Sequence, residues 1–212
     1  MPGARISAAA AIALACVALV SSGCTGSSAE RGGGSDAVVE RTDDGLRIAS
    51  SSHRPYSRDA FGSGWADTDG DCLDTRAEIL IASSSIRPTL AGSGCSVVSG
   101  RWRDAYTGAT VSDARSLDID HVVPLAEAWR SGAWKWSDDR RERFANETGK
   151  ELLPVNASLN RSKGDQDPAD WLPPNGSARC AYATRWIAIK RRWGLAADRR
   201  EADALARVLR SC

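Results

Sequence analysis

The feature that most constrains the fold is a run of alternating side chains that ends just before a proline. Residues 117–121 read Leu-Asp-Ile-Asp-His, in which apolar and acidic side chains alternate with the period of a half-buried β-strand. Pro124 has no N–H to donate to a β-ladder, so we expect the strand to end before it. A second apolar run at 152–155 leads into a polar segment that is compatible with a helix. The sequence therefore predicts a strand, an excursion, a second strand and a helix.

Polar side chains with a shared chemistry lie on these elements. Asp120 and His121 close the first strand, and Asn160 and Lys163 fall three residues apart on one face of the predicted helix. Carboxylate and amide oxygens suit Mg²⁺, Mn²⁺ or another hard divalent cation, and an imidazole accepts a proton near neutral pH. A metal beside a general base is suited to hydrolysing a phosphodiester, while a lysine can hold a phosphate as a point charge. We therefore expect Asp120, His121 and Asn160 to meet at a hydrolytic site.

Several motifs in this order resemble those of the ββα-metal (HNH, or His-Me finger) nucleases. They include Asp-His-Val-Val-Pro-Leu at 120–125 and Asn-Arg-Ser-Lys-Gly-Asp at 160–165, and the similarity extends from about residue 56 to residue 212. The chain also resembles secreted actinobacterial HNH endonuclease family proteins, which are related to the C-terminal domain of GmrSD-type restriction nucleases. The resemblance implies an α+β fold with a ββα-metal core, an added β-hairpin, surrounding helices and disulfide bonds.

The resemblance also implies roles for single residues. His121 is expected to be the general base, and Asp120 with Asn160 is expected to bind the catalytic metal. An asparagine that orients the base in such nucleases falls at or near Glu151 here, where a carboxylate can hold the other imidazole nitrogen. Two nearby residues are alternatives for this orienting role: Asn146 and Asn156.

Local basic patches must supply any affinity for nucleic acid, because the formal net charge of the chain is only +1. We expect Lys163, Arg161 and Arg130 to contact phosphate groups. The expected activity is metal-dependent cleavage of DNA, with RNA left open as a second substrate. Little sequence preference is expected, since no recognition module accompanies the nuclease segment. The alternative is a non-enzymatic surface lipoprotein that binds nucleic acid or an envelope partner on the same scaffold.

The first 23 residues have the pattern of an export signal. Arg5 precedes an apolar, alanine-rich run at 6–20 that is too short to span a bilayer comfortably. Cys24 follows a glycine, as in a bacterial lipobox, and lipidation there would anchor the protein to the outer face of the membrane. Free secretion after ordinary signal cleavage is the alternative. The Ser/Gly-rich residues 24–52 then predict a flexible tether, and 53–212 the nuclease domain.

Four cysteines lie beyond Cys24, and an even number in an oxidising compartment predicts disulfides. Three pairings are possible. Pairing of each cysteine with its nearest neighbour in the sequence closes the shortest loops and favours Cys72–Cys95 and Cys180–Cys212. Zinc binding is a weaker interpretation, since no pair of these cysteines has the two-residue spacing of a zinc knuckle.

An acidic stretch at 67–71, Asp-Thr-Asp-Gly-Asp, partly matches a calcium-binding loop. Its glycine is misplaced for an EF-hand and no glutamate closes the loop, which favours a solvated acidic turn that caps a helix over 74–83. A β-hairpin is predicted from 95–102 and 109–111, with structural roles for its aromatic residues Trp102 and Tyr106.

Overall fold

The structure, a computed structural model, describes residues 40–212. The export signal predicted for 1–23, the lipidation site at Cys24 and the first part of the tether lie outside the described residues. The β-strands are β1 Arg47–Ile48, β2 Thr89–Leu90, β3 Val97–Arg103, β4 Thr110–Asp113, β5 Leu117–His121, β6 Leu152–Asn156 and β7 Ala196–Ala197. The α-helices are α1 Thr75–Ser83, α2 Leu125–Arg130, α3 Asp138–Ala145, α4 Ala157–Lys163, α5 Arg179–Trp193 and α6 Arg199–Arg210. The fold is α+β, as the sequence predicts.

Strands β5 and β6 form an antiparallel pair that α4 follows directly. Leu117 lies opposite Asn156 and His121 lies opposite Leu152. The side chain of Asn156 accepts a hydrogen bond from the Leu159 amide at 3.1 Å, so the last residue of β6 also caps α4. Pro124 ends the first strand and stands immediately before α2. The predicted order of strand, excursion, strand and helix is confirmed.

The predicted hairpin is present as β3 and β4, and β2 extends it to a three-stranded antiparallel sheet. This sheet does not share hydrogen bonds with β5. It packs against β5 through an apolar cluster in which Trp102 is fully buried beside Leu117 and Ile119. The Trp102 indole N–H donates to the Leu80 carbonyl of α1 at 2.8 Å. The cluster therefore fixes the strand that carries Asp120 against the hairpin and α1.

The main apolar core lies under α5, the longest described helix. Tyr182, Trp186 and Ile189 fall at helical spacing on α5 and are buried. They pack in one cluster with Phe144 of α3 and Leu205 of α6. Trp193 continues that spacing and is partly buried against the same core. Within residues 40–212, no helix has both the length and the apolar content that a bilayer crossing requires.

The end of the predicted tether belongs to the folded domain, which corrects the boundary at residue 53. Strand β1 pairs in parallel with β7, so that Arg47 lies opposite Ala196. Leu46 is 1% exposed and is part of the main core. A strand of two residues is too short to show an alternating pattern, which is why the sequence gives no sign of it.

The two expected disulfides, Cys72–Cys95 and Cys180–Cys212, are both formed. The first joins the acidic turn to the loop before β3, and the second ties the chain end to the start of α5. In the acidic turn, Asp67 accepts the amides of Gly70 and Cys72 at 2.8 and 3.0 Å. These contacts are those of the predicted solvated turn, and Asp74 caps α1 through the Ala77 amide at 2.8 Å.

Candidate active site

One cavity of about 420 Å³ collects most of the predicted site residues. It is bounded by the end of β5, the start of α2 and the exposed face of α4. Among the residues that line it are Asp120, His121, Pro124, Leu125, Asn160, Arg161 and Asp165. The antiparallel pairing of β5 with β6 brings these elements together, because α4 follows β6 and returns past the end of β5.

Asp120 is held by a buried ion pair with Lys163. The Lys163 ammonium lies 2.8 and 2.9 Å from the two carboxylate oxygens and donates a third hydrogen bond to the His121 carbonyl at 2.8 Å. The Tyr106 hydroxyl donates to the same carboxylate. Burial raises the pKa of Asp120 above its ordinary value, and the Lys163 charge opposes that shift. Lys163 is 0% exposed, so its ammonium contacts Asp120 and not the cavity, where a phosphate contact would have to lie.

His121 is buried at the end of β5, and its ring is fixed on two sides. Its Nε2 lies 2.8 Å from the Ala145 carbonyl oxygen, and the Trp65 ring stacks on it with centroids 5.3 Å apart. Because a carbonyl only accepts, Nε2 carries the proton and the neutral ring has its lone pair on Nδ1. Burial lowers the pKa of His121 to about 3, and the charges of Arg58 and Lys163 also lower it. The imidazole is therefore a neutral proton acceptor at physiological pH.

Glu151 does not orient His121, contrary to the expectation from the sequence. One of its carboxyl oxygens accepts a hydrogen bond from the Val123 amide at 3.2 Å, and the other is buried without a partner among the described residues. Burial raises the pKa of Glu151 well above its ordinary value. The contact to Val123 fastens the segment that leaves β5, while the Ala145 carbonyl orients the imidazole.

The two alternative orienting residues also have other partners. Asn146 accepts the Ala66 amide at 2.9 Å, and Asn156 caps α4. The sequence could not identify Ala145, because its acceptor is a main-chain carbonyl that any residue type provides. The only sequence feature that points to this carbonyl is its place at the end of α3. The last carbonyl groups of a helix accept no hydrogen bond within that helix and are free for other donors.

Asn160 is turned by a hydrogen bond on its amide nitrogen. That nitrogen donates to Asp118 at 3.2 Å, and the side-chain oxygen Oδ1 of Asn160 accepts no hydrogen bond in the part of the chain that the structure describes. Asn160 and Asp120 line the same cavity and offer hard oxygen ligands. Such a pair fits a divalent cation such as Mg²⁺, which keeps several waters and needs few protein ligands.

The predicted phosphate contacts differ in their surroundings. The Arg161 side chain is 76% exposed and lies 3.8 Å from Asp118, so it borders the cavity with its charge near solvent. Arg130 is instead tied to Glu127 at 3.0 Å and to Asp165 at 2.7 Å, and it holds the turn after α4 against α2. The exposed Arg58 lines the cavity as well. The sequence did not suggest Arg58, since it stands alone in a segment without periodic pattern.

The comparisons with known proteins cover the elements that build this cavity. Residues 75–208 match the family described as GmrSD restriction endonucleases, C-terminal domain, and this range includes β5, β6 and α4. A fungal protein of Arthroderma benhamiae, described as an uncharacterized secreted protein, is 40% identical over 158 residues, which cover 74% of this chain and 76% of that protein. No solved structure matches the chain. The chain belongs to the family of the C-terminal domain of GmrSD restriction endonucleases.

Proposed function

We propose that the protein is an exported, divalent-metal-dependent endonuclease of the HNH type that hydrolyses phosphodiester bonds of DNA. One observation carries the proposal: a neutral imidazole, fixed through Nε2, lines the same cavity as two hard oxygen ligands. Membership of a family of restriction endonuclease domains supports the nuclease class. RNA is the second candidate substrate, because hydrolysis of its phosphodiester bonds needs the same groups.

In the proposed mechanism His121 takes a proton from the attacking water. Its Nδ1 carries the lone pair, and the Ala145 carbonyl and Trp65 hold the ring plane while the proton moves. Burial makes the imidazole a weak base, with a pKa of about 3. A phosphodiester in the cavity adds a negative charge beside the ring, which favours the imidazolium and so raises the basicity of His121.

Asp120 and Asn160 would hold the divalent cation, which stabilises charge at the leaving oxygen. Lys163 and Tyr106 fix the Asp120 carboxylate, and Asp118 turns the Asn160 amide so that its oxygen is available. Lys163 therefore acts through Asp120 as a positioning residue. In this proposal, contacts within the protein position both ligands.

Substrate phosphates would be contacted by the basic groups at the cavity mouth. Arg161 and Arg58 are exposed there, and neither needs to leave a buried partner to reach a phosphate. Arg130 supports them indirectly by holding the Asp165 turn. Contacts of this kind read the backbone and not the bases, which agrees with low sequence specificity.

The proposed location is outside the cell. Two disulfides and a fungal relative described as secreted support it. Within this proposal, residues 1–23 direct export and Cys24 carries a lipid that anchors the domain to the outer face of the membrane.

The first test is plasmid cleavage by the purified protein with Mg²⁺, with Mn²⁺ or with EDTA, beside His121→Ala. Loss of the base should lower the rate at least about 100-fold, the usual scale of general acid–base catalysis, and EDTA should stop cleavage by the wild type. His53→Ala is the matched control, because His53 is an exposed histidine that does not line the cavity.

Cleavage at the wild-type rate by folded His121→Ala would remove the assigned base. A second candidate function, binding without cleavage, is favoured by one observation: the Lys163 ammonium neutralises the Asp120 carboxylate. Intact plasmid in every lane, together with retarded migration of the plasmid by folded wild-type protein, would favour that second function.

A further inference from the structure

A second cavity, of about 370 Å³, shares no lining residue with the active-site cavity. It lies where the turn before β1 meets the end of α5. Three of its six lining residues are arginines and none is acidic: Arg41, Gly45, Arg47, Arg191, Gly194 and Leu195. We call it the arginine cavity.

The three guanidinium groups converge on two glycine turns. Arg41 donates to the Gly45 carbonyl at 3.1 Å, and Arg47 donates to the Gly194 carbonyl at 3.2 Å. The Arg191 guanidinium lies 3.6 Å from the position that a Cβ on Gly45 would take, and Gly45 has a φ of +81°. A glycine at 45 thus provides the left-handed turn and leaves Arg191 room to approach it.

The arginines of this cluster are not paired with acidic side chains in the described part of the chain. None of the three arginines forms a salt bridge within residues 40–212. Glu40 pairs with Arg199 at 2.5 Å, and an Asp44 oxygen accepts the Leu46 amide at 3.2 Å. Each guanidinium has five N–H donors in a planar fork that matches phosphate, and one carbonyl bond uses little of that capacity. The cavity is therefore suited to an oxyanion.

One segment of chain connects this cavity with the active site. Arg47 lines the arginine cavity and Arg58 lines the active-site cavity. Between them, the Ser52 amide donates to the Arg130 carbonyl at 2.9 Å, which fixes the segment to the end of α2. Arg54 lies over the Trp134 ring at 4.0 Å. Basic side chains thus occur at both ends and in the middle of residues 47–58.

The length of this segment limits how far apart the two cavities can lie, and so how long a ligand must be to reach both. Arg47 and Arg58 are eleven positions apart in the chain, so they lie at most about 40 Å from each other even when the chain is fully extended. This upper limit corresponds to about 12 base pairs of DNA at about 3.4 Å per pair. A longer duplex that occupies the active site has the reach to place a distant phosphate in the arginine cavity.

We propose that the arginine cavity binds a backbone phosphate of the nucleic acid, remote from the bond that is cleaved. The identity of this ligand rests on the proposed function, while the cavity and its charge do not. The site adds affinity and no sequence preference, because a phosphate carries no base information. Nucleic acid is favoured over an anionic lipid surface by the basic segment that runs to the active-site cavity.

The test compares Arg47→Gln/Arg191→Gln with a control of equal charge change on the hairpin side, Arg87→Gln/Arg101→Gln, whose arginines are exposed and lie in neither cavity. Binding of a 30-base-pair duplex is measured by fluorescence anisotropy in EDTA, so that no cleavage occurs, over a series of salt concentrations. Loss of one phosphate contact should reduce the slope of log K against log salt by about 0.9. The control pair should leave the slope unchanged.

An unchanged slope for the cavity variant, or an equal loss in the control, would overturn the proposal. So would a defect confined to vesicles that contain phosphatidylglycerol, which would assign the cavity to lipid. Arg191→Gln alone carries the test if the double variant is unfolded, because the Arg191 side chain makes no hydrogen bond in the described part of the chain. Failure of the nuclease proposal is separate, since it shows as absent cleavage with Mg²⁺ while the slopes in EDTA still differ.

Discussion

At the residue scale, the ion pair of Asp120 with Lys163 fixes one end of the candidate site. Both side chains are buried, and the ammonium makes three short hydrogen bonds around the end of β5. Two buried charges lose much hydration, so their attraction and their geometry must compensate for it. The pair therefore couples the stability of the strand–helix unit to the position of a proposed metal ligand.

Lys163→Met tests this coupling. Removal of the ammonium leaves Asp120 buried without its charge partner, and breaking a buried pair in this way costs about 3–5 kcal/mol of unfolding free energy. Urea unfolding followed by tryptophan fluorescence measures the change. Arg161→Met on the same helix is the control and should change stability by less than about 0.5 kcal/mol, because its side chain is 76% exposed.

A loss of less than about 1 kcal/mol in Lys163→Met would show that the ion pair contributes little beyond packing. Equal losses in the two variants would indicate a general effect on α4, since both positions lie in that helix.

At the element scale, the sequence could predict the parts whose patterns are long enough to be read. The alternation of β5 and the proline after it lie within a few residues of each other, and the structure has both. The two-residue strands β1, β2 and β7 carry no such pattern. Their pairing depends on partners distant in the chain, so local periodicity cannot show it.

The functional residues divide in the same way. Asp120, His121 and Asn160 belong to motifs that can be read along the chain, and the structure brings them to one cavity. Arg58 and Trp65 reach the site from a turn-rich segment, where tertiary packing alone decides their position. The sequence places Lys163 near the site but does not show that it pairs with Asp120. That pairing depends on burial, which arises only when the elements pack together.

Gly100→Ala tests the packing between β3 and α1. A Cβ at this position would lie 2.6 Å from the Trp102 ring and 2.8 Å from the Ser84 hydroxyl oxygen, so one of them must move. Overpacking of this kind should lower stability by about 1–3 kcal/mol, measured by thermal unfolding. Gly92→Ala is the control, because nothing lies within 4 Å of its added Cβ. Similar unfolding temperatures for Gly100→Ala and the wild type would contradict the close packing at Trp102.

At the scale of the whole molecule, the domain starts earlier than the change in composition indicates. Leu46 is 1% exposed in the main core, and β1 completes a parallel pair with β7. The arginine cavity also depends on this region, since Arg41 and Arg47 belong to it. Residues 40–52 are therefore part of the folded unit and of the proposed binding surface.

A comparison of two fragments, 40–212 and 53–212, tests the early start of the domain. The shorter fragment loses Leu46 from the core, and full burial of a leucine contributes about 1.5–3 kcal/mol. We expect it to unfold at lower temperature, measured by circular dichroism. Leu46→Ala in the longer fragment should reproduce most of the loss, whereas equal stability of the two fragments would place residues 40–52 outside the folded unit.

The carbonyl group that orients His121 has a consequence for mutation and for evolution. It belongs to the peptide backbone at Ala145, so every small residue that tolerates this buried position, which is 5% exposed, supplies the same acceptor. Drift in the codon for residue 145 can thus leave the base aligned. An insertion or deletion that moves the end of α3 by one residue would misalign it without touching any residue of the motifs. The orientation of His121 therefore depends on the number of residues between β5 and the end of α3. An alanine scan would not detect this dependence, because it changes side chains and leaves the carbonyl group in place.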